Sequence, residues 1–357
     1  MKILFIGGNG NISWYCVQEA INHDHEVWAL HRGITVKTRR AFQPEVNILH
    51  VDFRNQNEVK KVLADRKFDV VVDFICYNEE QAKFDVGIFK DITNHFIFIS
   101  TTSVYKRATK NLPYRENSPK CKNSIREYTN DKLKAESVFT NAWKRFGFPV
   151  TIIRPGYTYD TIIPVSVGLN DWTVCQRILE NKPPIILGDG SSIFTFTHSA
   201  DFAKALIPLF SNVKAIGGAF NITSDEVLNW KEATDILVDI LNIRNLEYLY
   251  IPTEYVCKYL EYLQPLRTEQ KDKFCPSLEH SLSHMATDFK SQKMWCDLFD
   301  NSKIKSFVPH WKPKVTLSEG LKETIQWMNE KEERKRFDPK LNEILDGLTE
   351  KFKFYLK

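Results

Sequence analysis

The sequence predicts an α/β fold: a Rossmann-type, doubly wound parallel sheet with a smaller, mostly helical C-terminal lobe. Three observations lead to it. Over residues 1–155, short β-rich runs alternate with stretches of helical spacing, which is the pattern of a doubly wound sheet. Most of these runs are continuously apolar, as is typical of parallel strands covered on both faces. A glycine-rich turn, residues 7–13, follows the first run and opens the first helical stretch.

The individual elements follow from the same pattern. The predicted strands are Ile3–Ile6, Glu26–Leu30, Asn47–Val51, Asp69–Phe74, His95–Ser100 and Val150–Arg154. The predicted helices between them are Ile12–Asn22, Gln56–Arg66, Glu79–Asp91 and Glu127–Phe146. A further strand–helix–strand unit is expected at Ser192–Thr197, Asp201–Phe210 and Ala219–Ile222. From Leu228 to about Lys331 the spacing is mostly helical, with one strand near Leu246–Ile251.

Two domains and a tail are expected. Residues 1–165 form the Rossmann domain, to which residues 192–227 return. Residues 166–191 and 228–330 form the smaller lobe, and residues 331–357 form a C-terminal helical tail. In that tail, apolar residues at helical spacing predict that one face packs against the protein: Leu341, Ile344, Leu345, Leu348 and Phe352.

Composition and charge exclude several classes of protein. The 357 residues carry 49 basic and 45 acidic side chains, so the chain lacks the strongly basic character of nucleic-acid-binding domains. No apolar run approaches the roughly 18 residues needed to span a bilayer. The apolar N-terminus is interrupted by glycine too early for a signal peptide and is expected to be a buried strand. Seven scattered cysteines, an odd number without a CxxC pair, indicate free thiols in a reducing cytoplasm.

The glycine-rich turn predicts a dinucleotide site. Gly7 and Gly10 allow a tight turn and the close approach of a pyrophosphate to backbone N–H groups. Asn11 and Ile12 continue the turn, and the small residue Ser13 stands where the fingerprint has its third glycine. Because the turn lies between a predicted strand and a predicted helix, we expect residues 1–165 to bind NAD or NADP.

The end of the second strand favours NADP. NAD-binding folds place a carboxylate there, which holds the ribose hydroxyls of the adenosine. This chain has His31 and Arg32 instead. A guanidinium pairs well with a 2′-phosphate, so NADP is the favoured cofactor and NAD the alternative.

A tyrosine and a lysine at helical spacing supply a candidate catalytic pair. Tyr128 and Lys132 are four residues apart and share one helical face. An ammonium beside a phenol is expected to lower the phenol pKa and to favour the phenolate. Hydroxyl side chains precede the pair at residues 100–103. Together they predict a base that removes the proton of an alcohol during hydride transfer to a nicotinamide.

With these residues in place, the chain resembles the extended short-chain dehydrogenase/reductase family, in its branch of NAD-dependent nucleotide-sugar epimerases and dehydratases. The matching segments are GGNGNIS (7–13), VDFRN (51–55), DVVVDF (69–74), FIFISTTSVY (96–105), YTNDK (128–132), IRPG (153–156), ILGDG (186–190), FTHSADFAKAL (196–206) and AFNIT (219–223). The resemblance covers roughly residues 1–330. It implies a sugar or nucleotide-sugar epimerase or reductase.

The resemblance also implies roles for particular residues. Thr101 falls at the family's catalytic hydroxyl, Tyr128 at its base and Lys132 at the partner of that base. Asp52 and Phe53 match the segment that contacts the adenine. Phe74, at the end of the fourth strand, is a further expected cofactor contact, and Pro155 and Gly156 match the segment beside the nicotinamide.

Four positions expected to contact substrate depart from the family pattern. Thr102 and Ser103 follow the catalytic threonine where the 4,6-dehydratases have Asp-Glu, so dehydration is disfavoured. Phe194 stands where many members carry an arginine that clamps the diphosphate. Tyr157 stands where an asparagine is frequent. These differences weaken the expectation of an ordinary nucleotide-sugar pocket.

The segment after the fourth strand leaves a second function open. DVVVDFICYNEEQA (69–82) is similar to the subgroup that contains the chloroplast stem-loop-binding proteins, some of which associate with RNA and lack catalytic residues. The alternative hypothesis is therefore a dinucleotide-binding protein associated with RNA or with another protein, with little or no redox turnover. Retention of Tyr128 and Lys132 favours the enzyme, whose partner is a small-molecule sugar. A homodimer is compatible with the sequence.

A metal site is not expected. Glu279, His280 and His284, with Cys275 and Asp288 nearby, have helical spacing but match no established ligand order. We interpret them as a polar helix surface.

Overall fold

The computed structural model describes residues 1–33, 39–108, 111–268 and 276–356, and the side chains of residues 264–281 lie outside this description. The strands are β1 (Lys2–Ile6), β2 (Glu26–His31), β3 (Asn47–His50), β4 (Phe68–Asp73), β5 (Thr93–Ile99), β6 (Val150–Pro155), β7 (Tyr157–Tyr159), β8 (Ile185–Leu187), β9 (Ile193–Phe194), β10 (Phe196–His198), β11 (Ala219–Ile222), β12 (Leu228–Asn229) and β13 (Leu249–Ile251). The helices are α1 (Ser13–Asn22), α2 (Gln56–Leu63), α3 (Glu79–Phe89), α4 (Glu127–Phe146), α5 (Trp172–Leu179), α6 (Ser199–Leu206), α7 (Trp230–Ile240), α8 (Thr253–Thr268), α9 (Pro276–Asp288), α10 (Ser302–Phe307), α11 (Leu317–Asn329) and α12 (Pro339–Tyr355).

Six strands from residues 2–155, together with β11, form a seven-stranded sheet. Its order is β3-β2-β1-β4-β5-β6-β11, and every neighbouring pair is parallel. The strand order reverses direction between β1 and β4, which is the switch point where doubly wound sheets bind ligands. The predicted α/β fold class, with a Rossmann-type parallel sheet, is confirmed.

Helices cover both faces of this sheet, as the continuously apolar strands predict. Alternate residues of β1 enter different clusters, because successive side chains point to opposite faces: Ile3 and Phe5 pack with α1 and α6, whereas Leu4 and Ile6 pack with α2, α3 and α4. Both faces of the sheet are therefore buried. A ligand site is expected at the carboxyl ends of the strands, which the helices do not cover.

The chain divides into two compact units that are not continuous in sequence. The first contains residues 1–160, 195–225 and 299–315, and the second contains residues 161–194, 226–298 and 316–357. Apart from boundary shifts of a few residues, the expected division differs in two segments. Residues 299–315, which include α10, lie in the first unit, and residues 331–357 lie in the second rather than standing apart as a tail.

The second unit is mostly helical. A two-stranded parallel pair, β8 with β13, contributes to its apolar cluster together with α8, α9 and α12. The apolar face expected in the C-terminal helix is present, since Leu341, Ile344, Leu345, Leu348 and Phe352 are all buried in this cluster. Among the described residues, no helix is both long and apolar enough to cross a membrane.

One predicted strand is two separate strands in the structure. The run expected at Ser192–Thr197 is split at Thr195 into β9 and β10. β9 pairs antiparallel with β12 in the second unit, whereas β10 pairs parallel with β7 in the first. Because the two halves pair with different partners, the apolar run cannot form one strand.

Candidate active site

The glycine-rich turn between β1 and α1 is closed by one serine. Gly7 has φ +81°, and a Cβ there would lie 2.6 Å from Cγ2 of Ile75, so only glycine fits. The Gly10 N–H donates to Oγ of Ser13 at 2.7 Å, and the Ser13 hydroxyl donates to the Gly7 carbonyl at 2.6 Å. Ser13, the residue in the third glycine position, thus fixes the shape of the turn.

The Asn11 side chain has an internal role. Its Nδ2 donates to the Thr158 carbonyl at 2.9 Å, and its Oδ1 accepts from the Asp160 N–H at 2.9 Å. These bonds fasten the turn to β7 and the residue that follows it. Ile12 packs against the apolar cluster of α1 and α6. Because both side chains are engaged within the protein, only the backbone groups of Asn11 and Ile12 are available for the predicted cofactor contacts.

A pocket of about 380 Å³ lies beside the turn, at the carboxyl ends of the strands around the switch point. It is lined by Gly7, Asn9, Leu30, His31, Arg32, Arg39, Val51, Asp52, Phe53, Arg54, Gln56, Ile75, Tyr77, Asn78, Glu80, Gln81 and Phe84. Of the predicted cofactor residues, it brings together Gly7, His31, Arg32, Asp52 and Phe53. These five residues therefore form one wall of the pocket, and their contacts with a cofactor stay predictions.

Phe74, a predicted cofactor contact, is not among the residues that line this pocket. Phe74 turns away from the pocket and stacks on Phe5, with ring centroids 6.4 Å apart, while Ile75 lines the pocket. Side chains alternate in direction at the end of an extended strand, so a shift of one residue changes the face. Phe53 lies against Phe84 and Phe89, at centroid distances of 5.6 Å and 6.3 Å, and forms an aromatic floor.

Three arginines converge on this pocket. Arg32 was expected, whereas Arg39 and Arg54 are additional. Burial, followed by the charges of His50, Arg39 and Arg32, lowers the pKa of His31, so its ring is neutral near pH 7. The Arg54 N–H donates to Oδ1 of Asp52 at 3.0 Å. The sequence signal for Arg54 was its place directly after the Asp52-Phe53 pair.

The predicted catalytic residues lie together at the start of α4. Nζ of Lys132 donates to the carbonyls of Cys76 (2.7 Å) and Ile99 (2.8 Å), at the ends of β4 and β5. The Thr101 side chain lies close enough to Tyr128 to lower the pKa of its phenol. Nζ of Lys132 lies 5.8 Å from the centre of the Tyr128 ring. The structure therefore brings Thr101, Tyr128 and Lys132 into one site.

The expected lowering of the phenol pKa is wrong for the chain as it stands. Burial raises the pKa of Tyr128 to about 12, and the neighbouring Arg126 charge and the Thr101 side chain offset this only in part. Burial also lowers the pKa of Lys132 to about 8. Loss of hydration is thus the largest influence on the pKa of both groups. At neutral pH Tyr128 carries its proton.

Tyr77 is a residue of the site that sequence reasoning missed. Its ring centroid lies 6.4 Å from that of Tyr128, and Nζ of Lys132 lies 5.0 Å from the centre of the Tyr77 ring. Tyr77 also lines the pocket of the three arginines. It therefore connects that pocket with the catalytic pair. Its signal was its position four residues after the end of β4, opposite the glycine-rich turn.

A buried polar network supports α4 from below. Arg154 of β6 forms an ion pair with Glu136 of α4, and the Ser100 hydroxyl donates to the same carboxylate at 2.7 Å. Lys120 is a further ion-pair partner of Glu136. Nη1 of Arg154 also donates to the Tyr105 hydroxyl at 2.9 Å. The network fixes α4 to β5 and β6, one turn after Lys132.

The segment expected beside the nicotinamide leaves β6 at Pro155. A Cβ at Gly156 would lie 2.8 Å from Cγ2 of Thr223, so the absence of a side chain permits this approach. Tyr157 packs edge-on against Phe196, with centroids 5.4 Å apart. The pocket of the three arginines does not include these residues, so their ligand contacts stay predictions.

Three of the expected substrate contacts are buried. Thr102 and Ser103 form a short 3₁₀ turn; Ser103 Oγ is 3.1 Å from Thr101 Oγ1, and the Thr102 carbonyl accepts from Arg107 at 3.3 Å. Phe194 is 1% exposed and packs on Trp230 at 4.6 Å. The structure thus gives these three residues packing and positioning roles.

The prediction for the polar residues near α9 falls mostly outside the described part of the chain. Cys275 and the side chains of Glu279 and His280 lie outside the described residues. Within the part of the chain that the structure describes, no group of three or more His, Cys, Asp or Glu side chains is arranged to hold a metal ion.

Among curated proteins, the chain is similar to enzymes whose names include a nucleotide sugar. The chain is 24% identical over 252 residues to the dTDP-D-glucose 4,6-dehydratase of Mus musculus, covering 69% of this chain and 57% of that protein. It is 26% identical over 170 residues to the UDP-glucose 4-epimerase of Lactobacillus helveticus, covering 43% and 51%. The match thus spans little more than half the length of these relatives.

Solved structures share the fold over nearly the whole chain. The dTDP-glucose 4,6-dehydratase of Bacillus anthracis, in complex with NAD, has a TM-score of 0.68 at 19% identity, with 94% of this chain and 98% of that chain covered. The UDP-glucuronic acid 4-epimerase of Bacillus cereus, in complex with UDP-glucuronic acid and NAD, has a TM-score of 0.67 at 19% identity, with 92% and 99% covered.

The family assignment follows from the sequence profile. The profile of the NAD dependent epimerase/dehydratase family matches residues 3–91 and 85–223, which is more than half of the chain. The expected family resemblance is confirmed, and the narrower similarity to the chloroplast subgroup stays a prediction. This protein belongs to the NAD dependent epimerase/dehydratase family.

Proposed function

We propose that this protein is an NAD(P)-dependent enzyme that epimerises or reduces a sugar or nucleotide sugar by hydride transfer at a carbinol or keto carbon. The observation that carries the proposal is the position of Tyr128 beside the buried Lys132, whose Nζ lies 5.8 Å from the centre of the Tyr128 ring, with Thr101 next to the phenol. Tyr77 links this group to the pocket next to the glycine-rich turn. The proposed proton donor thus lies beside a pocket suited to a dinucleotide, in one unit of the protein.

The arginine-lined pocket fits the adenosine end of a dinucleotide. Gly7 leaves room for a pyrophosphate at the turn, and Phe53 offers an aromatic floor for a base. Arg32, Arg39 and Arg54 supply positive charge where a 2′-phosphate would lie, which supports NADP over NAD. When bound, the cofactor donates or accepts the hydride.

Because Tyr128 is protonated at neutral pH, it enters the reaction as a proton donor. Because burial holds its pKa at about 12, Tyr128 at neutral pH is a proton donor. It is suited to protonate the oxygen of a keto sugar, with the Thr101 hydroxyl beside it as a second hydrogen-bond donor. Removal of a proton from a carbinol requires positive charge near the phenol, and Lys132 supplies one such charge. An epimerase would use the same phenol in both directions.

The residues after Thr101 support epimerisation or reduction over dehydration. Loss of water needs an acid and a base beside the catalytic hydroxyl, and Thr102 and Ser103 carry neither function. Both are also buried. The names of the relatives, dTDP-D-glucose 4,6-dehydratase and UDP-glucose 4-epimerase, support a nucleotide sugar as substrate.

The test is turnover by Tyr128→Phe. Wild-type protein is incubated with NADPH or NADH and a panel of UDP-sugars, dTDP-sugars and keto sugars, and products are separated by chromatography. We expect the variant to lose about 10²- to 10⁴-fold in rate, the usual contribution of a general acid or base, with nearly unchanged cofactor affinity. Tyr250→Phe, at an exposed position of the second unit, is the matched control.

Two outcomes contradict the proposal. Turnover by Tyr128→Phe at the wild-type rate places the chemistry elsewhere in the protein. Failure of the wild-type chain to bind either dinucleotide in a calorimetric titration removes the redox function altogether.

A further inference from the structure

Two carboxyl groups are buried together beneath the site. Asp73 ends β4 and Asp85 lies in α3, and both are 0% exposed. Asp73 is on the same strand face as Val71, and Asp85 lies one turn from Ala82 and from Phe89, which pack on that face, so the two carboxyl groups lie close together. Among the described residues, neither Oδ2 of Asp73 nor either oxygen of Asp85 meets an N–H or O–H donor. Two adjacent buried carboxyls without donors cannot both ionise at low cost, so the pair is expected to keep one proton and carry one negative charge.

The pair is joined to Lys132 through the backbone after β4. Oδ1 of Asp73 accepts the N–H groups of Ile75 at 2.6 Å and Cys76 at 2.9 Å. The Cys76 carbonyl in turn accepts from Nζ of Lys132 at 2.7 Å. The carboxyl that ends β4 therefore shapes the turn that holds the lysine.

Lys132 needs negative charge near it. Its side chain is 1% exposed, and its contacts are carbonyl oxygens and the faces of Tyr77, Phe98 and Tyr128. The neighbouring groups that favour its charged form are Cys76, Asp73, Glu136 and Asp85. The Cys76 thiol stays protonated because burial raises its pKa far above its usual range.

Glu136 is committed elsewhere, since it pairs with Arg154 and Lys120. The carboxyl pair is therefore the source of charge that is left for the lysine. Burial raises the pKa of Asp73 to about 6 and that of Asp85 well above its usual range, as expected of two carboxyls that share a proton.

We propose that Asp73 and Asp85 are positioning residues that together hold one negative charge beside Lys132 and keep its ammonium protonated and in place. The proposal rests on the proposed function for its catalytic meaning, because it assigns a support to the lysine of that site. Its physical content concerns Lys132 alone and can be measured without cofactor or substrate.

The charge count gives the test. Asp73→Asn and Asp85→Asn each leave one carboxyl, which is free to ionise once its partner is neutral. The double variant leaves none. Lys132 titration is followed by NMR of ¹⁵N-labelled lysine ammonium groups in the full chain, with Lys132→Met to identify the signal. We expect the single variants to titrate like wild type and the double variant to shift down by about 1–3 pH units, because desolvation then lacks compensation.

Controls separate charge from structure. Asp91→Asn, at an exposed position two residues after the end of α3, should leave the Lys132 titration unchanged. A double variant that titrates like wild type overturns the proposal. So does a shift in either single variant, which keeps the test decisive if the double variant fails to fold.

Cofactor affinity gives a second measurement. NADPH titrations from pH 6 to 9 should show the double variant losing affinity at lower pH than wild type, because Lys132 loses its proton earlier. Absence of dinucleotide binding in wild type would refute the proposed function and leave the NMR result standing. A normal NADPH titration with an unshifted lysine would refute the role of the pair alone.

Discussion

The Arg154 guanidinium and the Glu136 carboxylate form a two-point ion pair inside the first unit. Nε lies 2.8 Å from Oε1 and Nη2 lies 2.9 Å from Oε2, and each side chain is 3% exposed. Glu136 is one helical turn beyond Lys132 on α4. The pair therefore fixes the part of the helix that presents the catalytic lysine to the sheet.

Glu136→Gln should destabilise the protein strongly. The substitution leaves the Arg154 charge buried with only part of its partner set, and breaking a buried pair in this way costs about 3–5 kcal/mol. Urea unfolding followed by circular dichroism measures the loss. Glu127→Gln, at an exposed position of the same helix, should unfold like wild type. Equal midpoints for Glu136→Gln and wild type would contradict the expectation.

The same pair predicts sensitivity to acid. Burial opposes ionisation of Glu136, but Arg154 and Lys120 outweigh it and lower the pKa to about 2, from an ordinary value of 4.5. A depressed carboxyl pKa stabilises the fold above pH 4.5, and this contribution disappears as the pH falls towards 2. The stability difference between wild type and Glu136→Gln should therefore be larger at pH 7 than at pH 3. A constant difference would assign the loss to packing.

Arg32→Ala should lower the affinity for NADPH more than that for NADH. Loss of a charge-assisted hydrogen bond to a 2′-phosphate costs about 1.5–3 kcal/mol, which is a factor of roughly 10 to 100 in Kd. Calorimetric titration of both cofactors measures this. Arg145→Ala, at an exposed position near the end of α4, is the charge-matched control. An NAD preference in the wild type that persists in Arg32→Ala would refute the NADP prediction.

Gly7→Ala should lower the free energy of unfolding, whereas Gly87→Ala should raise it. At Gly7 the added methyl meets Ile75 at 2.6 Å in a backbone of φ +81°, so we expect a cost of about 1–3 kcal/mol and weaker dinucleotide binding. At Gly87, inside α3, nothing lies within 4 Å of the added methyl, and alanine should stabilise the helix by about 0.5–1 kcal/mol. Thermal unfolding with and without NADPH measures both effects. A tolerated Gly7→Ala would refute the close approach at the turn.

Lys132→Met and Thr101→Val should separate binding from chemistry. The methionine removes an ammonium that is expected to hydrogen-bond the cofactor ribose, so both affinity and turnover should fall. Thr101→Val removes one neutral hydrogen bond, worth about 0.5–1.5 kcal/mol, and should lower turnover with little change in affinity. Steady-state kinetics beside NADPH titrations distinguish the two. Equal effects on affinity would contradict the separate roles.

The sheet could be predicted because its physical signal is local. Continuously apolar runs such as Val70–Val72 need cover on both faces, and only a few folds provide it. Phe74 and Tyr77 show the limit of this signal. Which side chains enter the pocket depends on how the chain turns after β4, and that turn is set by the Asp73 side chain, which binds the N–H groups of residues 75 and 76.

The pKa values of the site residues were harder to predict from the sequence than the positions of these residues in the fold. The spacing of Tyr128 and Lys132 correctly placed both on one helix, but the pKa of the phenol depends on how much water the folded chain removes. The carboxyl pair is a similar case. Asp73 and Asp85 are 12 residues apart on different elements, and nothing in their spacing indicates that they meet.

The segments of the two units alternate along the sequence, and this affects both synthesis and proteolysis of the chain. Residues 1–160 contain six strands of the sheet but lack β11, which covers the edge of β6, and lack α6 and α10. A ribosome completes the first unit only after residue 315. Limited proteolysis or truncation between the units should therefore not release an independently stable nucleotide-binding fragment, because its outer strand and one apolar face would be exposed to solvent.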